Sequence, residues 1–277
     1  MIVRERPALS DILFAVRGSV LPRIKKPLAV SVALATAVVA LDLALPSSRM
    51  VTLTPTPFTL IGLALAIFLG FRNNASYDRW WEGRKLWGSL LIHARSAARL
   101  VLAHMEPGPA GNDRRERMVL ALIGFAYFLK HHLRDTQDQE SQQFLPAGLA
   151  AGFEHAANRP DAALRFISTE LQAALREGRI DPMMATRIED CLTGLAGDQA
   201  GCERLKTTPL PFSYSLLLHR TAYLYCLALP FGIVSLTGLT TPFVVGLVSY
   251  TIFGLDALGD EIEQPFRLTL NNLPLDS

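Results

Sequence analysis

Charge is sparse in this sequence, and cysteine sparser still. Lys, Arg, Asp and Glu supply only 19% of the 277 residues while 50% are hydrophobic, against about 25% charged in an ordinary soluble domain. That balance predicts an integral membrane protein with a substantial soluble part. Cys191, Cys202 and Cys226 stand at no CxxC spacing, so they read as reduced thiols serving as small hydrophobes, not as a disulfide framework or a metal site. The sequence also has no nucleophile elbow, phosphate loop, metal-ligand cluster or repeat. No catalytic residue, metal or cofactor is expected, and the chain does not read as an enzyme. A net charge of +2, with the basic residues scattered, gives nucleic acid no footprint. The opening MIVRERPALSDILFAV is too short in its apolar part, and too interrupted by charge, for a secretory leader.

Long runs free of charge are what the chain does have. Residues 1–27 read as a short amphipathic surface segment, with Ile12, Leu13, Val16, Val20 and Leu21 on one side and Arg17, Arg23, Lys25 and Lys26 around it. Pro27 then opens PLAVSVALATAVVALDLALP, long enough to span. After the connector 47–57 a second apolar helix returns, with Thr56 as cap and Pro57 at its first position. From Pro57 to Phe71 no charge occurs. Fifteen residues at 1.5 Å each cover only about 22 Å of a hydrocarbon core of about 30 Å, so this helix is expected to be shielded by protein. Gly62, Ala66 and Gly70 form a small-residue stripe suited to helix packing in lipid. Leu63, Ile67 and Phe71 form a bulky stripe about 100° away. By pattern alone the bulky stripe touches lipid, fills a core, or rings an axis shared by several subunits.

The same helix continues without a break into FRNNASYDRWWEGRKLWG and runs to about Leu102, its charges placing that part in the cytoplasm. Met118–Arg134 reads as a buried cytosolic helix, because its uncharged part ends at Lys130, His131, His132 and Arg134, and the adjacent histidines face apart. Asp161–Glu177 forms an amphipathic helix, and Asp181-Pro182 starts another that runs to about Leu195. GRIDP, at 178–182, joins them. Ser215–Gly232 and Pro242–Leu255 read as the third and fourth spans, with His219 and Arg220 buried in protein where the third enters from the cytosol. Asp256, Asp260, Glu261 and Glu263 lie beyond the fourth. The expected fold is all-α, with spans near 28–45, 57–75, 215–234 and 241–256, a helical cytosolic region near 76–211, and both termini cytosolic. Four spans are too few to enclose an aqueous path, so a pore needs several subunits.

Three segments, GFRNNASYDRWWEGRKLWG at 70–88, CERLKTTPLPFSY at 202–214 and EIEQPF at 261–266, resemble the bestrophin family in its bacterial branch, and the order of spans is similar along nearly the whole chain as one bestrophin-like domain. The resemblance implies a homopentamer around one central pore in the bacterial inner membrane. In it the second span lines a narrow neck at Leu63, Ile67 and Phe71, and a cytosolic constriction falls at Ile180, with Met183 as the alternative. Asn74 and Asp78 continue the neck stripe as possible pore-lining polar groups; the other reading of Asp78 is a structural pair with Arg79 or Arg84 of a neighbour. Animal members carry an acidic calcium clasp after the Pro-Phe pair, whereas Pro265-Phe266 is followed here by RLTLNN, which lacks the hard oxygen ligands calcium requires. The implied function is passive conduction of small monovalent ions, sodium above all, past a hydrophobic gate. The alternatives are an anion channel of the animal type and a non-conducting membrane scaffold with a cytosolic partner.

Overall fold

A computed structural model of the chain describes residues 18–44, 54–107, 114–138, 140–141, 145, 152–153, 156–269 and 271–275. Among them the long elements are all helical: α1 (Leu21–Ala44), α2 (Pro55–His104), α3 (Arg114–Arg134), α4 (Arg159–Arg176), α5 (Pro182–Thr207), α6 (Phe212–Thr237) and α7 (Thr241–Ile262). The amphipathic reading of residues 1–17 lies outside the described residues. The chain divides into two compact units, one made of 1–80, 209–265 and 269–272, the other of 81–208, 266–268 and 273–277.

In the first unit the helix starts differ from the sequence reading for local reasons. Pro27 does not open α1 but lies inside it. Gly18 takes a left-handed φ of 83° that breaks the chain, and Ser19 Oγ then accepts the Leu21 N–H at 3.1 Å, so the helix is capped six residues earlier. Likewise α2 begins at Pro55 instead of Pro57. It then runs unbroken for 50 residues, about 75 Å.

Among the described residues, apolar clusters hold this unit together. Ile24 of α1, Leu65 and Leu69 of α2, Leu218, Ala222 and Cys226 of α6, and Ile252 and Phe253 of α7 form the first. Ala35, Phe58, Leu229 and Val245 form the second, and Val38, Val39 and Val234 the third. The helices bury one stripe each and expose the rest, including Val30, Leu41, Leu60, Leu224, Leu236, Phe243 and Leu247. So much exposed apolar surface belongs in lipid or against other chains, not in water. Among the described residues, three stretches are by length and hydropathy apolar enough to cross a membrane: 21–44, 55–104 and 212–262. The third is α6 and α7 joined by a single 3₁₀ turn, Gly238–Thr240. Gly238 opens that turn at φ 50°, and the two helices fold back onto each other through the first cluster.

The second unit is built on buried rows of α3, with Met118, Leu122, Phe125, Leu129 and Leu133 facing inward, as expected of a core helix. Asn158 caps α4 by accepting from Asp161 N–H, with Pro160 in the first turn. Asp181 caps α5 in the same way, accepting from Met183 and Met184. α5 does not stop near Leu195 but continues to Thr207, where Pro209 ends it. Gly194 and Gly201 do not break it; they let α2 come close. A Cβ at Gly201 would stand 2.8 Å from Leu86, and one at Gly194 within 2.7 Å of the His93 ring. His93 Nδ1 in turn lies 2.8 Å from Oδ2 of the buried Asp198. Gly194→Ala is therefore expected to push the imidazole off Asp198 and to lower stability by about 1–3 kcal/mol, the cost of a buried polar group left unsatisfied. Thermal unfolding in detergent measures it, and an unchanged melting temperature rejects the close contact.

Candidate functional site

α2 has two faces in the first unit. Phe58, Leu65, Leu69, Arg72 and Ser76 are buried, at intervals of seven, four, three and four residues, one side of a helix. On the other side Leu63 and Phe71 are each 61% exposed and Ile67 is also exposed. Asn74 and Asp78 continue that exposed stripe, and Asp78 carries no ion pair among the described residues. The five residues thus share one exposed face of one helix. The small-residue stripe is used unevenly within the subunit. A Cβ at Gly62 would lie 2.6 Å from Tyr225 Oη of α6, Gly70 faces open space, and Ala66 is exposed.

Directly behind Phe71 lies a charged cluster that pattern reasoning did not find. Arg72 is 1% exposed. Its Nη1 donates to Asp256 Oδ1 at 2.8 Å, its Nη2 donates to Asp260, and the same Nη2 lies 3.5 Å from Glu263 Oε2. His219 joins from α6, with Nδ1 2.5 Å from Asp256 Oδ2 and Nε2 3.5 Å from Asp260 Oδ1. Glu263 accepts the Leu210 N–H at 3.1 Å, and its carbonyl accepts from Arg79 Nε at 3.0 Å. Gly259 allows this approach, since a Cβ there would be 2.5 Å from Asn73 Oδ1. Beside the cluster, Arg23, His219, Tyr223, Asp256 and Asp260 line a cavity of about 160 Å³. The expected burial of His219 in protein takes the form of this pairing, whereas Arg220 is exposed.

The acids at the end of α7 are thus engaged by cations of the same chain, and Glu261 likewise pairs with Arg23 at 3.4 Å. No group of three or more His, Cys, Asp or Glu among the described residues is placed to hold a metal ion. The signal that could have revealed the cluster was the position of Arg72. It falls on the same face as Leu65 and Leu69, and a buried cation there requires a carboxylate partner.

The turn before α5 belongs to the second unit. Gly178 adopts φ 69°. Arg179 Nη1 donates to Pro107 O at 3.0 Å, and the Arg179 carbonyl accepts from Glu106 N at 2.9 Å. Arg114 ties Glu177 and Glu170 together at 2.8 and 2.7 Å. The Arg114 guanidinium, seconded by Arg179, holds the Glu177 carboxyl below its usual range. So fixed, the turn buries Ile180 to 5% exposure and leaves Met183 70% exposed, in an open groove with Asp181, Thr186 and Arg187. Of the two residues expected at the constriction, Met183 is the one whose side chain meets open space.

Comparison with known proteins gives a consistent picture. The family model described as "Bacterial/Fungal Bestrophin protein" matches residues 1–277. A voltage-dependent anion channel-forming protein of Mesorhizobium japonicum is 42% identical over 279 residues, covering 100% of this chain and 88% of the relative. A protein of the same description from Escherichia coli K12 is 38% identical, covering 100% and 90%. Among solved structures, a bacterial bestrophin homologue from Klebsiella pneumoniae superposes with a TM-score of 0.81 at 35% identity, over 91% of this chain and 93% of that one.

Proposed function

Because the chain belongs to the bacterial and fungal bestrophin family, a family of membrane ion channels, we propose that it forms a homopentameric channel of the bacterial inner membrane that passes small monovalent ions down their gradient. In this reading α1, the first part of α2, α6 and α7 are the four spans, both termini are cytoplasmic, and five copies of Leu63, Ile67 and Phe71 form a neck. The carrying observation is the stripe itself: a bulky apolar row exposed on one face of α2 while the opposite face is buried in its own subunit. Rings at i, i+4 and i+8 stand about 6 Å apart along an axis and oppose ions by dewetting, without charge. Exposed Met183 is the better candidate for the cytosolic constriction, since Ile180 is spent on the core of its own unit.

On selectivity, two observations favour different ions. Asn74 and Asp78, exposed on the neck stripe, offer amide and carboxylate oxygens to a cation, and on this geometry sodium is the preferred ion. The relatives that bear anion channel names, 38–42% identical along the whole chain, weigh toward chloride. Reversal potentials under a sodium chloride gradient across planar bilayers decide between them. A reversal near the sodium potential is expected, moving toward zero in Asp78→Asn; a reversal near the chloride potential replaces the cation reading with the anion one. Absence of flux from liposomes would leave the scaffold reading.

A further inference from the structure

We infer that Arg72 sets the rotation of α2 about its own axis and thereby aims Phe71, a positioning role that rests on the neck reading above. Toward the start of α2, the buried face meets its neighbours chiefly through apolar side chains, Phe58 against Leu229 and Val245, Leu65 and Leu69 against Leu218, Ala222 and Phe253, with a rotatable Tyr214 hydroxyl donating to the Phe68 carbonyl at 3.2 Å. Apolar contact is non-directional, so such a face tolerates a small turn of the helix.

The geometry changes one residue beyond Phe71. Arg72 places two nitrogens of one rigid planar fork on two carboxylates of α7, Asp256 and Asp260, with Glu263 beside them, and a guanidinium fork fixes direction as well as distance. Its Nη1 also reaches the Asp256 carbonyl at 3.4 Å. Seven residues on, the same face is tied again by Arg79 Nε on Glu263 O. The two contacts grip α7 and its C-terminal cap, and Asn73 is wedged against Gly259 between them. The acceptors are themselves held, Asp256 by His219 and Glu263 by Leu210 N–H. Phe71 and Arg72 are adjacent on the helix, about 100° apart, so a turn that loosens one fork redirects the ring beside it.

The test is a double-mutant cycle read as single-channel open probability, with purified channels in planar bilayers. Asp260→Asn removes one arm of the fork at a carboxylate that is 44% exposed and so tolerates the change; Arg72→Gln removes both arms. Each is expected to alter open probability by roughly 5–150-fold, the usual span for coupled sites. In a Phe71→Ala background each is expected to act by less than about twofold, the limit for independent sites, because no ring remains to be aimed. Should Arg72→Gln fail to assemble, Asp260→Asn carries the cycle alone. Equal effects in both backgrounds, or no effect of Asp260→Asn in the wild type, overturn the inference while leaving the neck intact. Phe71→Ala currents identical to wild type overturn the neck reading and the inference with it.

Discussion

Replacing Leu63, Ile67 and Phe71 together by alanine is expected to raise single-channel conductance at least about tenfold, since lowering a barrier by only about 1.4 kcal/mol is worth that factor. In the proposed pentamer each substitution would remove five large apolar side chains from the neck, widening it and letting water persist there. The three residues are exposed within the subunit, so the change leaves the fold of the protomer largely untouched. Alanine at Leu65 or Leu69, buried on the opposite face, should do the reverse: each costs about 2–5 kcal/mol of stability with little effect on the conductance of channels that assemble. Planar-bilayer recording and thermal unfolding of the same preparations separate the two faces. Unchanged currents from the triple variant, or large current changes from Leu65→Ala, would place the axis elsewhere.

Arg72→Met is expected to destabilise the first unit by about 3–5 kcal/mol, the cost of breaking a buried ion pair from one side. Asp256 stays buried with only His219 to offset it, and Asp260 and Glu263 lose their shared cation. Adding Asp256→Leu to Arg72→Met should recover a good part of the loss, because removing both partners avoids the stranded charge. The measurement is the melting temperature of the assembled protein in detergent. If the double variant is less stable than Arg72→Met alone, Asp256 is held by something other than Arg72.

Local chemistry explains how far the sequence could be read. The helices, the shift from an apolar to a charged surface along α2, and the start of α5 at Asp181-Pro182 follow from patterns within a few residues, and the structure carries them. Misjudged ends trace to signals that compete locally. Pro27 looked like a start because it opens the apolar run, yet Ser19 had already supplied a cap. The end of α5 was set too early, near Leu195, whereas the helix runs to Thr207 and Gly194 and Gly201 within it serve close approach to α2. Long-range pairing was hidden for a different reason. Arg72 and its carboxylates are 184 or more residues apart, and no periodicity links them. The burial of Ile180 was equally hidden, because it depends on Arg179 and Glu106 fixing the turn across α2 and α5.

The continuity of α2 has a consequence for time. In the proposed channel, α2 has no break from Leu63 to Asp78 and so offers no hinge between the neck and its polar continuation, and a gate carried there opens either by rotamer changes of the neck side chains or by movement of that stretch of helix as a rod. Exposed side chains change rotamer in picoseconds to nanoseconds, while collective helix movements take microseconds to milliseconds. The fast route is averaged into the amplitude of an open level. Only the slow route leaves discrete steps in a current trace, and the dwell times of those steps are therefore a clock for the rod as a whole.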